Sequence, residues 1–474
     1  MKPRLFVAFL FSLIVTGSAA QNSQVLYFMN LPQSHLLNPA LRQTNSMYVG
    51  LPALSGINVN VTNNFLSFSD LFRKGMEINK NNLAFLSSDF DAEGFLGKIN
   101  DLNYIEPKVS VQLLGLGLTL KNGYYIFLDI TDNADADIVI PRDYFRLAFL
   151  GNEQFEGQTF DLSNMKMEYK YYREVGFGTS GAITPKLRFG ARAKVLFGIT
   201  AGNLQNYSMN LRVNDANSNT LEANMALDFS GPVRAVKDEN NKISDFDVED
   251  IEGGSFFANM KNVGFGIDLG AEYSLTDNII LSAAITDVGF IKWKSDLTNL
   301  EAVGDIDLNG LDFKDVQEGR ASIDDLAGSL ADSLKQAFVV ADKEKRFTTK
   351  FPVGFIMGGK YILNDKFSFG LLSYSRITSQ HLRQAVTLST NVNLKNSFGA
   401  SLSYTACNHD YSNIGLGLYG RLSVFQLYFL VDRIPLSWKR AGVSGDSFAL
   451  PSNWNTLQTR FGLNLVFGNG ERER

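Results

Sequence analysis

Nucleophilic chemistry has few residues to work with in this chain, which holds three histidines, His35, His381 and His409, and one cysteine, Cys407. A serine or cysteine nucleophile needs a base within hydrogen-bond reach and a third group to orient that base. Cys407 and His409 are two residues apart and share a face if the segment is a strand, but no orienting group accompanies them. We therefore expect neither an enzyme nor a cofactor. Asp132-Asn133-Ala134-Asp135-Ala136-Asp137 is rich in oxygen ligands yet lacks the glycine and distal glutamate of a calcium loop, so it reads as a solvated outer loop and not as a metal site. Gly115-Leu116-Gly117 lies within a strand and has no helix after it, which fits small lumen or bend positions better than a phosphate loop.

The most suggestive charges are Lys186, Arg188, Arg192 and Lys194, which alternate along one strand face. Asp268 and Glu272 alternate along another. If both faces line a lumen, these groups either pair with one another or form an electropositive constriction that favours anionic solutes.

The elements that must position them are long amphipathic strands. Leu187, Phe189, Ala191, Ala193, Val195 and Phe197 oppose the basic row, and Val263, Phe265, Ile267, Leu269, Ala271 and Tyr273 oppose the acidic one. Phe425, Leu427, Phe429 and Val431 repeat the pattern, and so does the last strand, Leu457 to Phe467. Its apolar row, Phe461, Leu463, Leu465 and Phe467, is expected to face lipid. One oily and one wet face over about 10 residues is the pattern of a transmembrane β-strand. Arg173 interrupts an otherwise apolar row, which requires a position near an interface or a bulge. Lys108 to Ile130 reads as a hairpin around Asn122-Gly123, with both residues at positive φ in a type I′ turn.

Composition agrees. The chain has 474 residues, with Gly 41, Phe 37 and Tyr 17 against Pro 11 and Trp 3, and a net charge of -5 that offers no footing for nucleic acid. Lys2 and Arg4 before the apolar run Leu5 to Val15, then Ser18-Ala19-Ala20, form a signal peptide over residues 1–20 with cleavage near Ala20. The expected division is a plug-like segment at 21–46, a barrel at 47–468 and a polar tail at 469–474. Short turns alternate with long connections, roughly Thr131 to Asn164, Ser230 to Met260, Lys294 to Phe347 and Arg433 to Asn455. Leu204 to Phe229 is either a hairpin above the membrane, giving about 14 membrane strands, or two further strands, giving about 16. Ile323, Leu326, Leu330 and Leu334 recur at helical spacing behind Ser322, a loop helix that packs on the barrel mouth or docks a partner.

Asn38-Pro39-Ala40, the segment Leu281 to Trp293, Phe351-Pro352 and the closing aromatic strand resemble an uncharacterised group of Bacteroidota outer-membrane proteins. That group is similar in layout to the FadL-type transporters of hydrophobic compounds and to PorV, the type IX secretion accessory barrel. The resemblance implies an all-β, monomeric, antiparallel transmembrane barrel of about 14 strands with an N-terminal plug-like segment. No ligand residue comes with it, and Gly468 to Arg474 depart from signals that stop at the aromatic. Three functions follow as expectations: a barrel in outer-membrane lipid that passes or binds small, hydrophobic molecules; a non-transporting accessory barrel holding an envelope or secretion partner; and an exported soluble all-β protein.

Overall fold

The computed structural model describes residues 24–66, 90–215, 218–239, 242–248, 260–309, 338–340, 344–378, 382–394, 397–407, 410–434, 438–443, 446–451 and 456–468, with Asp332 and Lys335. The expected signal peptide, the expected loop-helix residues Ile323, Leu326, Leu330 and Leu334, the histidines at 381 and 409, and the tail at 469–474 lie outside these residues.

The first stave of the wall is split into β1 (Met47–Gly50) and β2 (Ile57–Asn63). Then come β3 (Leu102–Thr119), β4 (Tyr125–Pro141), the short β5 (Thr159–Asp161), β6 (Lys166–Thr184) and β7 (Leu187–Asp215). Beyond the membrane run β8 (Ser218–Ser230), β9 (Val233–Lys237) and β10 (Ile243–Val248). The wall resumes with β11 (Asn262–Ser274) and β12 (Ile279–Trp293), leaves it for β13 (Leu297–Asn309) and β14 (Val339–Val340), and returns in a second split stave, β15 (Phe347–Lys350) and β16 (Val353–Ile362). It continues through β17 (Phe367–Ile377), β18 (Leu382–Leu394), β19 (Phe398–Cys407), β20 (Asp410–Leu422) and β21 (Phe425–Val431). After the hairpin β22 (Trp438–Val443) and β23 (Asp446–Pro451), β24 (Thr456–Phe467) completes it.

Fourteen antiparallel staves result. β24 pairs with β21 on one side, and on the other with β1, from Met47↔Phe467 to Gly50↔Asn464, and with β2, from Ile57↔Phe461 to Thr62↔Thr456. No backbone edge is then left to face hydrocarbon, which is the condition for a sheet to span a membrane. Phe177, Phe265, Leu388, Leu402 and Leu427 are each more than half exposed on the outside, while Asp129, Asp268, Asn464 and Gln458 are fully buried inside. An apolar exterior around a polar interior is the reverse of a water-soluble barrel, so the exported soluble alternative falls.

The hairpin reading of Leu204 to Phe229 also resolves. β7 runs past the wall, and its upper half pairs with β8, which pairs in turn with β13. One face of this extension is a core of its own, with Met209, Leu211, Val213, Leu221, Met225 and Leu300 packed with Phe155, Phe160 and Phe338.

Two expectations need correction. The turn at Asn122-Gly123 is not type I′, because only Gly123 has positive φ, at 82°. Its N–H donates to Leu120 O, and Leu120 N–H donates to Tyr124 O, which closes a three-residue loop with the glycine in the left-handed position. Asp132 to Asp137 are not in a loop either, since they continue β4 and pair with β6. Arg173 sits directly across from Asp132 and binds it at 2.7 Å, next to a register shift at Tyr171/Tyr172.

Closure predicts a proximity test. Cysteines at Val49 and Leu465, direct cross-strand partners, introduced with Cys407→Ser, should be joined by oxidation or a short bifunctional thiol reagent. The joined barrel should then keep its folded gel mobility on heating; two cysteines that never join would mean the first and last staves do not meet.

Candidate functional site

The lumen is filled from its short-turn end by the N-terminal segment that begins at Gln24. A helix at Gln24–Phe28 and a 3-10 turn at Pro32–Leu36 place Val25, Leu26, Met29 and Leu31 against Tyr419, Tyr428 and Leu430, and Phe28 against Ile356, Leu372 and Tyr374. Gln33, fully buried, anchors the segment to the closing stave. Its Nε2 donates to Asn464 Oδ1 at 2.8 Å and to Ser55 O at 2.9 Å, and its Oε1 accepts from Asn464 Nδ2 at 3.2 Å. Ser55 reaches this position because residues 51–56 leave the wall between β1 and β2, while Leu54 O still accepts from Leu463 N.

Asn38-Pro39-Ala40 is the plug's footing. Asn38 Oδ1 accepts from Ala40 N at 2.9 Å, folding the tripeptide into a turn that lies against two glycines of the wall. A Cβ on Gly190 would stand 2.3 Å from the Pro39 carbonyl carbon, and one on Gly270 would stand 2.0 Å from Asn38 Oδ1. Both glycines lie on the inward faces read from sequence, and their role is close approach.

Beyond the plug the lumen is ion-paired. Arg192, 2% exposed, binds Asp129, Glu174 at 2.5 Å and Asp268 at 3.0 Å; Lys194 binds Asp268 at 2.7 Å and Asp287 at 2.6 Å. Four carboxylates surround two cations, so this level of the lumen is not electropositive. Glu272 stands directly across from Arg188, whose Nε also reaches Ala40 O of the plug at 3.4 Å. Lys186 does not join them; it lies exposed in the turn before β7. Sequence reading had missed Asp129, Glu174 and Asp287. Asp129 could have been found as the third inward residue of the row Tyr125, Phe127, Asp129.

Towards the long loops the pairing continues. Glu106 binds Arg383 and, at 3.4 Å, Arg376; Lys170 binds Asp135 and Glu168, each at 3.0 Å; Lys166 binds Asp137 at 2.6 Å. All of these groups but Arg383 line a cavity of about 440 Å³ that crosses the lumen from β3, β4 and β6 to Thr349, Phe351 and Pro352. Cys407 is buried and accepts from Asn413 Nδ2 at 3.2 Å, a packed thiol and not an exposed nucleophile.

The strand pairing is interrupted where this cavity ends. On β12, Asp287 is an extra residue at φ 61°, and its N–H donates to Asp268 Oδ1 at 2.7 Å. In the facing stave, between β15 and β16, Pro352 has no N–H to give the ladder. Outside this seam lies a groove of about 660 Å³ lined by Phe265, Ile267, Val288, Phe290 and Val353. Phe351 borders the outer groove, the inner cavity and a small internal space by Lys194. Its ring packs edge-on to Tyr172 with centroids 5.0 Å apart, and Lys170 Nζ lies 5.4 Å from its centre.

Two variants test this interior. Arg192→Met leaves three buried carboxylates short of a counter-charge, a loss of about 3 to 5 kcal/mol, which should appear as a lower urea midpoint of the barrel in detergent. Gly270→Ala should keep the barrel but unseat Asn38, making the segment before Met47 accessible to protease; an equally protected plug would show that the close approach does not hold it.

Among solved structures, the chain is similar to the Ralstonia pickettii toluene transporter TbuX, at 9% identity over 96% of each chain and a TM-score of 0.41. It is similar to the Pseudomonas putida toluene transporter TodX, at 11% identity over 95% of this chain and 94% of that one, TM-score 0.40. A Pseudomonas aeruginosa FadL homologue aligns at 9% identity over 95% and 99% of the two chains, TM-score 0.42. No curated protein matches the sequence. Residues 39–432, from the plug's footing to the end of the thirteenth stave, match a family of unknown function, DUF5723, and the chain belongs to that family.

Proposed function

We propose that the chain is an outer-membrane barrel that binds and passes small, hydrophobic molecules through the seam in its wall and not along its axis. The observation that carries this reading is the meeting of an apolar outer groove and an inner cavity along Thr348, Lys350 and Phe351, of which Phe351 supplies the ring between them. The axial route is occupied by buried plug residues, and the interior beyond it is cross-linked by ion pairs, so an apolar solute has no dry path down the middle. From outside, the same solute partitions first into lipid and meets the groove from there. On this reading the signal peptide is removed near Ala20, residues 21–46 form the plug, 47–468 the barrel and 469–474 a polar tail. The outward row of Phe461, Leu463, Leu465 and Phe467 then touches lipid; Phe461 and Phe467 are exposed, and Leu463 and Leu465 half-buried.

A second reading, an accessory barrel that holds an envelope or secretion partner as PorV does, draws on the extension of β7, β8 and β13, whose separate core makes a rigid platform beyond the membrane.

Phe351→Ala should raise influx of a small apolar fluorophore into liposomes carrying the purified barrel, and Phe351→Trp should lower it. If neither protein differs from the parent, or the parent admits nothing, passage through the seam is wrong. A stable partner recovered from native membranes with a non-conducting barrel would then favour the accessory role.

A further inference from the structure

We propose that the outer groove holds an anionic membrane lipid, with an acyl chain along its apolar wall and the phosphate between Lys292 and Lys350. Register places Phe265, Phe290 and Lys350 in one row across three staves, with Lys292 opposite Thr348 two residues further on. Lys292 and Lys350 are thus diagonal neighbours on the outward face, about 7 Å apart at their base, a spacing that lets two ammonium groups share one phosphate. Both are exposed. Neither makes an ion pair among the described residues, whereas the lumen's Lys166, Lys170 and Lys194 are all paired. Lys292 Nζ lies 5.5 Å from the centre of the Phe290 ring, which keeps the charge at the groove.

Height favours a lipid head. Both lysines lie about a dozen residues from the short-turn end of their staves. At a rise of ~3.3 Å per residue and a tilt of ~40°, that is about 30 Å, just past an apolar band of ~25 Å. Ile267, Val288 and Val353 lie on the membrane side of them, and Phe265 is level with Lys350. A free anion makes no use of that apolar wall, and a neutral hydrocarbon makes no use of the two cations. A second copy would set lysine against lysine. An acyl chain ending in a phosphate satisfies both parts. The inference rests on the membrane placement and the groove of the proposed function, but not on passage through the seam.

The full chain, purified and equilibrated with equal phosphatidylglycerol and phosphatidylcholine of matched chains, should retain the anionic lipid about thirtyfold over the zwitterionic one in native mass spectrometry, given roughly 1 kcal/mol for each of the two basic residues. Lys292→Glu with Lys350→Glu should abolish the preference, the two Gln substitutions should reduce it, and Lys366→Glu at the opposite rim should leave it unchanged, with heat-modifiable gel mobility confirming folded barrels. Equal retention of both lipids, an unchanged preference in the double Glu variant, or complete displacement by inorganic phosphate would overturn the site. A barrel that keeps the lipid preference and passes no fluorophore upholds this inference while ending the transport reading, so the two fail separately.

Discussion

Hydrocarbon offers no hydrogen bonds, so a sheet that crosses it has to end where it began. Everything else in this chain is subordinate to the pairing of β24 with β1 and β2. Closure fixes which row of each stave meets lipid, and that in turn forces charge and glycine inward. A wall of fourteen staves encloses more space than its own side chains fill, and two devices occupy the remainder: the N-terminal segment in the short-turn half and cross-strand ion pairs in the other. Arg192 belongs to the second device but touches the first, because its partner Asp129 also lies 3.6 Å from His35 of the plug.

Besides single-residue register shifts, the wall departs from regular pairing in two staves, the first and the eighth. Residues 51–56 leave the first stave but return hydrogen bonds to Gln112 and Leu463, so the closing seam stays intact there. At Asp287 the bulge N–H finds the Asp268 carboxylate, and Phe351 N–H donates to Gly289 O at 3.2 Å, but Pro352 has no N–H to add. The second departure is therefore the weaker of the two, and it is the one with cavities on both sides.

Much of this architecture was legible because a strand half in lipid must alternate. β7, β11 and β24 showed it over their whole membrane length, and the barrel was expected to begin at residue 47, where β1 starts. Legibility failed where the physical cause of alternation stops. In β4, Asp132 and Asp137 lie near the long-loop end, where both faces meet water or salt bridges, so the polar run looked like a loop although it is strand. The pairs Asp268↔Arg192 and Glu272↔Arg188 were half legible: the faces could be read, but not the register that aligns them. The seat of Asn38-Pro39-Ala40 had no periodic signal at all, since it depends on two glycines, Gly190 and Gly270, far off in sequence.

The plug also bears on how the molecule is put together. Gln33 and Asn464 are 431 residues apart in sequence yet share two buried hydrogen bonds. The segment that fills the lumen is the first to leave the export machinery, and the stave that seals the lumen is the last. Residues 24–46 must wait beside an open sheet until β24 arrives, or be threaded into a ring already shut. The first route needs only that Asn38-Pro39-Ala40 settle on β7 and β11 while the far edge is free, so that the final strand zips onto β1 with its Asn464 meeting a glutamine already in place. Loop-closure cost of that size makes the last pairing the slow one, and the early-docked plug would serve it as a template.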